Sequence, residues 1–262
     1  MAPWKHGLGG GKGRGRSFYY ALAEEAVRKN GGETCYAKKV FDEAPKYGLT
    51  NLEIASLNGN LFGAGSDTSS STLCTFTLAC VAFPDALPKA WEELDRVVGP
   101  YRSPGLDDDL PYIRAFVKEV FRWRSVAIIG GQPHAPIQDD YYKVCELLKR
   151  SPNFSNSVQG WYIPKNTWVQ GNVWAIHRSE NEFPEPDRFY PERFFEDNPL
   201  HRPFPNDKGY MTFGWGRRVC SGQGLAEQGT FLTVARLLWA FNIQKALDKS
   251  GNEIPVDIFD YT

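Results

Sequence analysis

Long apolar runs are scarce in this sequence. The longest, from Leu73 to Phe83, is interrupted by Thr75 and Thr77 and is too short to span a bilayer. Residues 1–16 carry six glycines and four Lys/Arg but no apolar stretch of the kind a secretory signal needs. The chain as written is therefore expected to be soluble and cytoplasmic. Charge of one sign is also lacking. Thirty Lys+Arg against thirty-one Asp+Glu leave a net charge of −1, which removes the electrostatic case for a nucleic-acid partner. Cysteine is sparse, with five residues at 35, 74, 80, 145 and 220, an odd number without C-x-x-C or zinc-type spacing. That fits a reducing compartment better than a disulfide framework, and the spacing offers no zinc signature. Apolar material itself is plentiful. At 42% hydrophobic and 14% aromatic, 262 residues suffice for one large domain or two small ones.

Read in order, residues 1–16 form a flexible Gly-rich basic tail, and residues 17–29 and 36–44 read as amphipathic helices. Thr50-Asn51-Leu52-Glu53 is a capping box, and no proline follows until Pro84. A helix of about 33 residues, roughly 50 Å long, is expected there. Its middle, Gly63 to Thr72, has poor helix propensity, and its Ser/Thr side chains can bond back to carbonyls and loosen the ladder. Short helices are expected from Pro84 to Val98, with Asp85 as cap, and after Asp109-Leu110-Pro111. On the second, Glu119 and Arg122 share a face, and the apolar residues around them suggest burial. A buried pair must be fully satisfied, so a third partner is expected, and Arg193 fits. Residues 132–142 and 160–173 read as strands, 174–178 as a short helix, and 184–210, with six prolines, as an irregular meander.

The whole is organised around Phe213-Gly214-Trp215-Gly216-Arg217-Arg218-Val219-Cys220-Ser221-Gly222, just ahead of the apolar periodic segment Leu225 to Phe241. Glycines 214, 216 and 222 permit φ > 0 and close approach of backbone to a flat ligand. A cysteine before a helix N-terminus is biased toward thiolate. Iron held by one thiolate is the arrangement that pushes electron density toward O–O cleavage.

These positions fit F-x-x-G-x-R-x-C-x-G and resemble the haem-ligand loop of the cytochrome P-450 family. About 150 residues upstream, Ala64-Gly65-Ser66-Asp67-Thr68 resembles that family's distal helix, and Glu119, Arg122 and Arg193 resemble its E-x-x-R pair with the Arg of its P-E-R-F segment. The resemblance runs from about residue 17 to the end and looks closest to fungal microsomal members. It implies a mainly α fold with small β-sheets and a haem b cofactor ligated by Cys220, the metal ligand. Arg218 and His134 would meet the haem propionates. Phe213, Gly214, Gly216, Gly222 and Ala64 would line the haem, Asp67 and Thr68 would deliver protons, and Glu119, Arg122 and Arg193 would brace the core. It implies further an NADPH-cytochrome reductase docking near Arg217 and Arg236, dioxygen, and a small lipophilic substrate, in some fungal relatives a secondary metabolite. Full-length relatives are anchored in the endoplasmic reticulum membrane, facing the cytosol.

Three departures from the family pattern stand out. Little precedes the long helix, so no membrane anchor is expected in this chain, and the chain ends at Phe259-Asp260-Tyr261-Thr262, before the family's C-terminal hairpin. One wall of the haem site would then be open to water, favouring uncoupled breakdown of reduced oxygen. Residues 144–159 interrupt strands that relatives join directly. Val-Cys can be encoded GTATGT, Ser-Asn can contain CTAAC, and Gln can be CAG, so an unspliced in-frame intron is expected, against a true hairpin-tip insertion. The rival functions are a truncated fragment that binds no haem productively and a haem-thiolate isomerase or dehydratase needing no reductase.

Overall fold

The computed structural model describes residues 14–29, 34–142, 161–198 and 208–259, and the interruption expected at 144–159 lies outside them. Two compact units are present, residues 1–70 and 71–262. The fold is mainly helical, with one two-stranded sheet among the described residues.

In the first unit, α1 (Arg14–Lys29) begins inside the stretch read as a tail, and α2 (Tyr36–Tyr47) follows. Helix α2 stops at Gly48, whose φ of 63° is the left-handed conformation that a side chain resists. Val40, Ala44 and Ile54 form a small core with Tyr20, Phe41 and Leu49 around it. Gly59 matters here, because a Cβ at that position would lie 2.8 Å from the Tyr19 ring.

Helix α3 (Asn51–Ala82) supplies residues to both units. Its start is a reciprocal capping box: Thr50 N donates to Glu53 Oε2 at 2.8 Å, and Glu53 N donates to Thr50 Oγ1 at 3.3 Å. The weak Gly/Ser/Thr run stays α-helical throughout. Its hydroxyls bond back along the helix, Thr68 Oγ1 to Ala64 O at 2.6 Å and Ser70 Oγ to Ser66 O at 2.8 Å, without displacing the backbone ladder.

The core of the second unit gathers Phe76, Ala79 and Cys80 of α3 with three further helices. These are α4 (Leu87–Val97), α5 (Pro111–Trp123) and α7 (Gln223–Ala240), which contribute Leu87, Leu94, Ile113, Phe116, Val234 and Leu238 among others. Two caps differ from expectation. Asp85 lies in a 3₁₀ turn, Pro84–Ala86, and α4 starts after Ala86 without a side-chain cap. Asp109 does not cap α5 either. Instead buried Glu93 of α4 accepts from Tyr112 N at 2.9 Å and Ile113 N at 3.0 Å, so a tertiary carboxylate satisfies the orphan donors.

The expected strands are shorter than their sequence pattern. β1 (Asp140–Tyr142) pairs antiparallel with β2 (Trp161–Ile163), Tyr142 opposite Trp161. Farther along, only an isolated bridge joins His134 to Val169, because prolines 133, 136 and 164 remove ladder donors. Helix α6 (Val173–His177) follows, with the Asn172 side chain accepting from Ala175 N, and Pro191–Phe194 form a 3₁₀ turn. No single described helix is long and apolar enough to cross a membrane.

Candidate functional site

The residues leading into the Cys220 loop are held from several sides. Tyr210 and Phe213 set their rings on Phe121 of α5, at centroid distances of 5.3 and 5.1 Å. Thr212 Oγ1 donates to Phe121 O at 2.6 Å, anchoring the backbone to the same helix end. Tyr210 OH donates to Glu227 Oε1 of α7 at 2.6 Å, so the helix after the loop is tied to the segment before it.

The loop then turns. Gly214 and Gly216 have φ of 78° and 58°, the left-handed region that only glycine enters at little cost, and a 3₁₀ turn covers Gly216–Arg218. Gly222 does not use that freedom: its φ is −86°, and it is the residue before α7. Cys220 N donates to Phe213 O at 2.9 Å and closes the loop. Between the glycines, Trp215 sends Nε1–H to Met211 Sδ at 2.9 Å. Its indole fills a slot where glycine is required: a Cβ on Gly171 would lie 2.2 Å from the ring, and one on Gly130 would lie 2.3 Å from Gly171 O.

Cys220 ends up exposed, three residues ahead of the first residue of α7. Cys80, by contrast, is buried, and burial pushes its thiol up to about 12, where it stays protonated. Among the described residues, no three His, Cys, Asp or Glu side chains gather to hold a metal ion on their own. A single protein donor suits an ion whose other ligands come from a macrocycle, so the loop fits a haem. Gly222 adds no bulk beside the sulfur, since even a Cβ there would stand 3.8 Å from Cys220 Sγ.

Behind the loop lies the charged brace. Arg122 donates to both carboxylate oxygens of Glu119, at 2.7 and 2.8 Å, and Arg193 Nε donates to Oε1 at 3.0 Å. All three side chains are at most 1% exposed. Burial pushes the Arg193 pKa down, and the Glu119 charge opposes that. The remaining guanidinium donors reach carbonyls of Pro184, Glu185 and Arg188 from Arg193, and of His177 and Arg188 from Arg122. The meander is thereby pinned to α5 without regular backbone pairing.

The other expected site residues are at the surface. Arg218 is exposed on the 3₁₀ turn and His134 is exposed at its bridge to Val169. Ala64, Asp67 and Thr68 are exposed on α3 and belong to the first unit, whereas Cys220 belongs to the second. Both arginines expected to face a reductase, Arg217 and Arg236, are exposed, and Arg236 also gives its Nε to Pro104 O at 3.1 Å. Sequence reasoning missed Gly130, Gly171, Trp215, Met211 and His177. The Gly130-Gly131 pair and the lone glycine in a strand-like stretch were available as signals of close backbone approach.

The Cytochrome P450 family profile matches residues 21–255. Cytochrome P450 monooxygenase 113 of Postia placenta is 36% identical over 256 residues, 95% of this chain and 47% of its own length. Cytochrome P450 monooxygenase verL of Clonostachys rogersoniana is 37% identical over 90% of this chain and 41% of its own length. The anuE monooxygenase of Penicillium roqueforti is 37% identical over 88% and 45%. The chain thus spans less than half the length of these curated relatives. With a profile match over most of its residues, this chain belongs to the Cytochrome P450 family, which implies a haem cofactor.

Proposed function

We propose that this chain is part of a haem-thiolate monooxygenase that inserts one oxygen atom from dioxygen into a lipophilic organic substrate, a fungal secondary metabolite being the substrate class favoured. The observation that carries this reading is Cys220, exposed before a helix on a loop that two left-handed glycines shape and α5 braces. The cofactor is haem b, and when bound through a thiolate it supplies activation of dioxygen toward O–O cleavage.

The chain's own residues divide the remaining work. Cys220 Sγ is the ligand, and Arg218 and His134 neutralise propionate charge. Phe213, Gly214, Gly216 and Gly222 shape the ligand side, and Ala64 is the small residue the family resemblance assigns to the haem. Thr68 Oγ1 donates to Ala64 O, and with Asp67 beside it on α3 it makes the acid–alcohol pair that would deliver protons. Glu119, Arg122 and Arg193 hold the loop's support rather than touch substrate. An NADPH-cytochrome reductase docks beside the loop, drawn by exposed Arg217 and Arg236.

The test is the absorption spectrum of the reduced, carbon-monoxide-bound protein, expressed with added haem. A Soret band at the thiolate position, abolished in Cys220→Ala, is expected. A protein that takes up no haem beside a longer relative that does would overturn the catalytic reading in favour of a non-catalytic fragment. Turnover without a reductase would favour the isomerase or dehydratase class.

A further inference from the structure

His177 has no part in the roles assigned above, yet it stands between the buried brace and the sulfur loop. It closes α6, is 1% exposed, and meets the Phe183 ring in a T-shaped contact at 5.7 Å and 86°. Its carbonyl accepts from Arg122 Nη1 at 2.9 Å, and its Nε2 accepts from Met211 N–H at 2.8 Å. One residue therefore takes a hydrogen bond from the brace on its backbone and another from the loop's leading arm on its side chain.

Every polar group of Met211 is used. Its N–H goes to His177, its carbonyl accepts from Gly214 N at 3.0 Å, and its sulfur accepts from Trp215. Thr212 and Phe213 tie the arm to α5, while Met211 ties it to α6. Attachments to two separate helices fix the direction of the arm as well as its position, and Cys220 N hangs from Phe213 O at the far end.

We propose that His177 is a positioning residue for Cys220, its neutral imidazole holding Met211 so that the brace and the sulfur-bearing loop keep one geometry. The proposal rests on Cys220 being the haem ligand. Accepting at Nε2 requires the neutral ring with its proton on Nδ1, because a second proton would turn the acceptor into a donor facing the Met211 N–H. Burial first, and the nearby Arg122 charge second, depress the ring's pKa to about 3, which keeps it in that form. Nδ1 finds no hydrogen-bond partner, so the ring's buried polar interaction is made at Nε2.

Two readouts on the full chain test this. In the haem-free protein, the Met211 amide should exchange with solvent only as slowly as the α5 amides. His177→Leu, which fills the space without an acceptor, should speed that exchange about tenfold, and His177→Gln, which restores one, should bring it back. With haem bound, His177→Leu should move part of the carbon-monoxide band away from the thiolate position at unchanged haem content and helix signal, and His177→Gln should recover it. A Met211 amide that exchanges freely in the unsubstituted protein overturns the proposal even if the Leu variant does not fold. An unchanged carbon-monoxide spectrum in a folded Leu variant also overturns it. Failure of the thiolate assignment is separately visible, because the unsubstituted protein would then lack the thiolate band, and the proposal would fall with it.

Discussion

Arg193 shows what the smallest scale of this molecule depends on. Its guanidinium is buried, faces Glu119, and spreads its other donors over the carbonyls of Pro184, Glu185 and Arg188. A lysine could keep the charge but not the planar fork that reaches all four acceptors. Arg193→Lys is expected to destabilise the fold by about 3–5 kcal/mol, close to the cost of breaking a buried pair, read from denaturant midpoints by circular dichroism. His177 makes a second residue-level prediction. The unfolded chain takes up a proton near pH 6.5, the ordinary histidine value, whereas the folded chain refuses it down to about 3. Stability should be level above pH 6.5 and fall below it, at about 1.4 kcal/mol per pH unit at most. Between pH 6.5 and 5, before carboxylates dominate, His177→Gln should flatten that slope, as urea melts across the range would show. The Glu119–Arg122 half of the brace was legible from i,i+3 spacing in apolar surroundings. His177 was not, since its partner is a backbone N–H 34 residues away, which leaves no mark in the sequence.

Among the elements, α5 carries the instructive case. Asp109 before Pro111 reads as a local cap, but the donors of the first turn go to Glu93, nineteen and twenty residues earlier. Capping from another helix couples α4 to the start of the helix that bears Glu119 and Arg122. Glu93→Ala would leave two buried N–H groups without acceptors, costing about 2–3 kcal/mol, while Asp109→Ala should change stability little. Comparable losses for the two variants in thermal melts would contradict this assignment. The start of α3 was readable because both halves of its capping box lie within four residues. Its middle was harder to read: propensity argued for a loosened ladder, and the hydroxyls instead bonded within an unbroken helix. Strand lengths were overestimated because alternation of side chains says nothing about donors that prolines withhold.

At the scale of the whole molecule, the mainly helical class followed from periodicity, and the family followed from a motif of ten residues. The division at residues 70 and 71 was illegible, because it falls inside a continuous helix rather than in a linker. The sheet bears on the segment 144–159, which we propose is not part of the functional protein. Tyr142 and Trp161 are paired as the last described residues of an antiparallel ladder. Removing 144–159 leaves Lys143-Gly160 between them, a two-residue hairpin loop with glycine available for a positive φ. Loop-closure entropy then favours the shorter chain: cutting the connection from 143–160 to two residues is roughly three doublings, or about 2 kcal/mol. A variant lacking 144–159 should keep its helix signal, melt higher, and take up haem at least as well as the full chain. Loss of fold or of haem uptake in that variant would make the segment a working part of the protein, and a transcript retaining all of it would say the same at the level of the gene.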